Sequence, residues 1–66
     1  MIHVRFEGRS LELHEKDLGL PHGPSDRHIL DSLARRLEVN RQRLEDYVVD
    51  RRPNGTIVVR PEAVYG

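Results

Sequence analysis

The sequence predicts an α+β domain in the order strand, strand, helix, strand, strand, and three observations carry that prediction. Apolar and polar residues alternate over residues 2–6 and again over 11–14. Apolar residues then recur at three- and four-residue spacing from Ile29 to Leu37. Alternation returns on both sides of an Arg52-Pro53-Asn54-Gly55 turn. A period of two marks half-buried strands and a period near 3.6 marks an amphipathic helix.

The first hairpin is expected over residues 2–14. A two-residue Gly8-Arg9 turn of type II′ fits, because glycine supplies the positive φ that turn needs. That register places Phe6 opposite Leu11 and Val4 opposite Leu13 on the inner face. It places Arg5 opposite Glu12 and His3 opposite His14 outside. Residues 15–24 contain two Pro and two Gly and are expected to form a loop. Ser25 suits an N-cap, with Asp26 in the first turn complementing the positive helix end. The helix is expected over 25–39, its apolar stripe being Ile29, Leu30, Leu33, Ala34 and Leu37. Asn40 either ends that helix in the left-handed conformation or caps a short turn up to Asp46 with Leu44 as its buried anchor; the short turn is preferred.

The second hairpin is expected over residues 47–60. Pro53 and Gly55 suit a type I turn with a glycine bulge, which pairs Val49 with Val59 and Arg51 with Ile57. A two-residue Asn54-Gly55 turn would set Asp50 against Val59, and the hydrophobic pattern argues against it. Tyr47, Val49, Ile57 and Val59 then share the inner face, with Arg51 at its margin. Residues 61–66 form a tail. The whole is one domain, a four-stranded mixed sheet covered by one helix.

Composition narrows the functions on offer. The chain has 66 residues, 11 basic and 11 acidic side chains, no Cys and 36% apolar residues. No apolar run approaches the roughly 20 residues that span a bilayer, so no membrane association is expected. The opening Met1-Ile2-His3-Val4-Arg5 lacks a basic region followed by an apolar stretch, so a cytoplasmic location is expected. A chain this short buries only about 60% of its unfolded surface, which makes a partner or a homo-oligomer a reasonable source of added stability. Residues 1–33 carry four basic and six acidic groups and residues 34–66 seven and five. That bias is far from the basic stripe of a nucleic-acid binder, and no aromatic stacking residue sits among the strand arginines, so no nucleic acid is expected.

The element order and length resemble the β-grasp, or ubiquitin-like, fold, in which a first hairpin and a crossing helix are followed by a central strand that returns beside the first. The resemblance covers nearly the whole chain and is one of topology. It implies a protein partner. Modifiers and small sulfur carriers of that family end in Gly-Gly, whose carboxylate is activated by an adenylating (E1-like) enzyme; this sequence ends in Tyr65-Gly66. By that resemblance Gly66 is the group to be activated, with Tyr65 in place of the penultimate glycine. Gly66 meets the need for a slim end that enters a narrow channel. Ten of the eleven basic residues are Arg and only Lys16 is Lys. Conjugation would favour that bias because guanidinium is no nucleophile at neutral pH. A GC-rich genome produces the same bias.

The alternative is an adaptor or oligomerising module that uses its sheet face. The outer face of the second hairpin offers Val48, Arg52, Val58 and Arg60 to a protein partner, with Asp50 and Thr56 beside them. No catalytic residue stands out, as neither a nucleophile with its base nor a phosphate loop is present. No cofactor is implied. His3 and His14, with Glu12 or Glu15 nearby, give at most two imidazoles where a structural zinc site wants four ligands, so no metal is expected. His22 and His28 flank the Ser25 cap as ordinary polar residues.

Overall fold

A computed structural model describes residues 1–21 and 23–62. Its strands are β1 (Ile2–Phe6), β2 (Arg9–Leu13), β3 (Tyr47–Arg51) and β4 (Ile57–Pro61), and its helix is α1 (Asp26–Leu37). The sheet order is β2-β1-β4-β3, with β1 and β4 parallel and both hairpins antiparallel. This mixed four-stranded sheet with one covering helix is topologically compatible with a β-grasp. No helix among the described residues is long and apolar enough to cross a membrane.

Strand sidedness follows the alternation. Ile2, Val4 and Phe6 of β1 and Ile57 and Val59 of β4 are buried on the inner face. Against them lie Ile29, Leu30, Leu33 and Ala34 of α1. Two short 3-10 turns close the ends of the core. Glu15–Leu18 inserts Leu18, and Arg41–Leu44 inserts the fully buried Leu44. Phe6 and Tyr47 meet with ring centroids 5.8 Å apart, and the Arg43 guanidinium lies 5.6 Å from the Phe6 centroid. Arg43 also pairs with Glu7.

The first hairpin departs from the expected register. Its two turn residues are Glu7 and Gly8, both at positive φ, 49° and 79°, which is a type I′ turn rather than Gly8-Arg9 in type II′. Val4 therefore faces Leu11, Arg5 faces Ser10 and His3 faces Glu12. His14 is drawn out of the ladder into the first 3-10 turn. Its carbonyl accepts from the Asp17 N–H at 2.9 Å, and its own N–H donates to Asp17 Oδ2 at 3.1 Å. The segment expected as plain loop therefore holds a turn with a buried anchor.

The second hairpin has the expected register, Val49 opposite Val59 and Arg51 opposite Ile57. The Gly55 N–H donates to the Arg52 carbonyl at 3.0 Å, and Gly55 takes φ 90° as the bulge. Ser25 caps α1, accepting from the His28 N–H at 3.2 Å. The helix ends at Leu37, two residues before the expected limit. Glu38 takes the left-handed position, and the Val39 N–H reaches back to the Ala34 carbonyl at 3.0 Å. Asn40 caps the second 3-10 turn, accepting from the Gln42 N–H at 2.9 Å, as the preferred reading required. Arg51, expected at the margin of the inner face, turns toward the helix start. It donates from Nη2 to Asp26 Oδ1 at 2.7 Å and to the Pro24 carbonyl at 2.8 Å, clasping β3 to the helix start.

Candidate functional site

The outer sheet face is built by the residues that alternate away from the core. The observed registers set them in two cross-strand rows. One is Glu12, His3, Val58 and Asp50. In the other, Ser10 faces Arg5 and Arg60 faces Val48. Carrying the parallel register of β1 and β4 one step beyond Val4 and Val59 sets Arg5 beside Arg60.

Three of the four expected contact residues, Val48, Val58 and Arg60, lie together on this face and are half-buried. Arg52 follows β3 directly and reaches back to the same patch, its Nη2 lying 3.2 Å from Asp50 Oδ2. Arg60 Nη2 lies 3.9 Å from the same oxygen, so Asp50 is the anionic centre of the second hairpin's outer face. Opposite it along the row, His3 Nδ1 lies 3.4 Å from Glu12 Oε1. His3 and His14 are not register partners, and among the described residues no group of three or more metal-ligating side chains gathers. Gly66 and Tyr65, the expected activation residues, lie outside the described residues, as does His22.

Two shallow depressions mark the outer face. The larger, about 470 Å³, is lined by Arg5, Gly8, Arg9, Ser10, Arg60 and Glu62, among others. The second, about 430 Å³, lies against Val48, Asp50, Arg60 and Glu62. They share Arg60 and Glu62, so the two form one trough running from the first turn to the β3 edge. Arg5 and Ser10 were not expected here, whereas Arg9, the register partner of buried Phe6, borders the depression from the inner side of β2. The outward side of Arg5 on β1 was legible from alternation, and its place beside the end of β4 follows only from the parallel pairing.

Charge on this rim is unevenly matched. Glu7 is taken by Arg43 and Asp50 by Arg52 and Arg60. Among the described residues Arg5 and Arg9 enter no ion pair. At the opposite end of β1, the Met1 ammonium donates to Glu15 Oε1 at 2.8 Å and holds that carboxyl below the usual carboxylate range. No protein-family model matches this chain, and neither the curated proteins nor the solved structures contain a match to it.

Proposed function

We propose that this is a non-catalytic, ubiquitin-like protein that works by docking on other proteins through its outer sheet face, and that it is a modifier or carrier activated at Gly66 by an adenylating enzyme. The observation that carries the proposal is the course of the last strand. β4 runs parallel to β1 in the centre of the sheet, and the chain leaves it at Glu62, a residue that lines the trough. A partner seated on the outer face therefore lies beside Glu62, the point at which the chain leaves the sheet. An adenylating enzyme has to hold both at once, since the globular face gives affinity while the slim end reaches the nucleotide.

The adaptor reading keeps the face and drops the activation. What favours it is the grouping of Val48, Val58, Arg60 and Arg52 around Asp50, which needs no residue beyond Glu62. Incubation with ATP and lysate from the native source, followed by intact-mass analysis, separates the two readings. An adenylate, thioester or isopeptide product that requires Gly66 is expected. Unchanged mass with and without Gly66, together with a partner retained equally by both forms, would leave the adaptor.

A further inference from the structure

We infer that the open edge of β3 pairs antiparallel with the same edge of a second copy of this chain, centred on Val49, so that the two sheets join into one. This goes beyond the readings above and rests on neither, since it uses a strand edge and needs neither Gly66 nor a foreign partner.

β3 is one of the two edge strands, and its hydrogen bonds show which backbone groups it leaves unmatched. The Arg52 N–H donates to the Thr56 carbonyl and the Glu62 N–H to the Asp46 carbonyl, both at 2.8 Å, so positions 46 and 52 turn toward β4. Backbone direction alternates along an antiparallel pair, which turns the N–H and C=O of Tyr47, Val49 and Arg51 to the open side. Natural edges are blunted by Lys, Pro, a bulge or an inward-pointing charge. Tyr47–Arg51 contains neither Lys nor Pro, and its five residues pair with β4 in unbroken register. Its one charge on the inner side, Arg51, is matched by Asp26 at 2.7 Å and so does not repel a neighbouring strand.

Charge selects the occupant and its register. Facing residues of an antiparallel pair lie on the same side of the sheet. Centred on Val49, the midpoint of the strand, two copies set Asp46 opposite Arg52 at both ends of the outer side. Val48 then faces Asp50, while on the inner side Val49 faces its own copy and Tyr47 faces Arg51. Asp46 and Arg52 are exposed, and Asp46 enters no ion pair among the described residues. Arg52 reaches Asp50 through Nη2, and the same fork has Nε and Nη1 to offer Asp46 of the copy. The flat face of the Arg51 guanidinium is open to the Tyr47 ring of the copy, because Asp26 and the Pro24 carbonyl take only its edge. Centring the pairing on Val48 sets Asp46 against Asp50, and centring it on Asp50 sets that carboxylate against its own copy. Like charges directly opposite destabilise a strand pair, so both slips are disfavoured. β2, the other edge, offers no such match. Its two charged residues, Arg9 and Glu12, alternate to opposite sides of the sheet and cannot face each other across a dyad.

The test uses the whole chain. An edge contact of five residues is small beside the roughly 1,000 Å² of a stable interface, so sedimentation equilibrium from about 10 µM to about 1 mM is expected to show monomer giving way to dimer. In a mixture of labelled and unlabelled chain, an isotope-filtered NOE should join Val48 Hα to Asp50 Hα of the copy. Within one strand those two atoms are too far apart to give it. Asp46→Arg and Arg52→Asp should each weaken dimerisation by about tenfold or more, since each sets like charges opposite at both ends. An equimolar mixture of the two variants should restore it, because each supplies the charge the other has lost. That restoration also shows that neither variant has misfolded. A chain still monomeric at about 1 mM, a dimer that Asp46→Arg leaves unweakened, or variants whose mixture associates no better than either alone would each overturn the inference. So would amide shifts on dilution that fall on β2 and not on β3.

Discussion

At Gly8 the backbone lies at φ 79°, and a Cβ built there meets nothing within 4 Å. Gly8→Ala therefore tests conformation rather than space. The left-handed region disfavours any L side chain by about 1 kcal/mol, so urea denaturation of Gly8→Ala should show a loss of that size with an unchanged m-value. Glu15 gives a pH prediction. Its contact with the Met1 ammonium lowers its folded pKa, so the contribution to stability is present above the unfolded value of about 4.3 and disappears as pH falls through the lower folded value. Glu15→Gln should lower stability slightly in the neutral region, leave the strongly acid region nearly unchanged, and so flatten the acid limb of the stability profile. Acetylating the Met1 amine should return the Glu15 titration, followed by NMR, toward the ordinary range.

The two hairpins show what local sequence can and cannot specify at the level of an element. Pro53 and Gly55 admit one turn geometry together with the apolar pattern, and the second register was therefore legible. In the first hairpin, moving each partner by two residues keeps every apolar side chain on the inner face, so alternation alone does not select between Gly8-Arg9 and Glu7-Gly8. The choice is made downstream, where His14 and Asp17 close the 3-10 turn. The helix was legible at its start through Ser25 and less so at its end, where Val39 packs against the core and forces Glu38 into the left-handed position. Ser25→Ala should cost about 1 kcal/mol of stability. Arg51→Ala removes an exposed clasp and should cost less than about 1 kcal/mol, an effect that shrinks with added salt. Both are measurable by chemical denaturation in the same buffer.

For the molecule as a whole, stability at this length is expected to be about 3 to 10 kcal/mol. Leu44 is fully buried although it sits in a four-residue turn. Leu44→Ala should remove about 2 to 5 kcal/mol, enough to collapse amide protection throughout the sheet in hydrogen exchange rather than only near the turn. The fold class was legible because all three hydrophobic periods agree with one sheet and one helix. Of the candidate site, Val48, Val58 and Arg60 were legible as outward positions of one hairpin. Arg5 was not grouped with them, because its nearness to Arg60 is a tertiary fact created by the parallel pairing of β1 and β4.

That pairing also orders events in time. Ile2 lies beside Ile57, so the two central strands come from opposite parts of the chain and neither has its inner neighbour until the other has been made. During synthesis the first hairpin and the helix leave the ribosome with one edge of β1 unpaired and the hydrophobic layer incomplete. A nascent chain halted before residue 57 clears the exit tunnel should remain sensitive to protease, and one halted after residue 61 has cleared should become resistant in a single step. The sheet thus cannot close until residues 2–61 have all been made, and a ribosome-bound chaperone would meet an unfinished sheet edge until then.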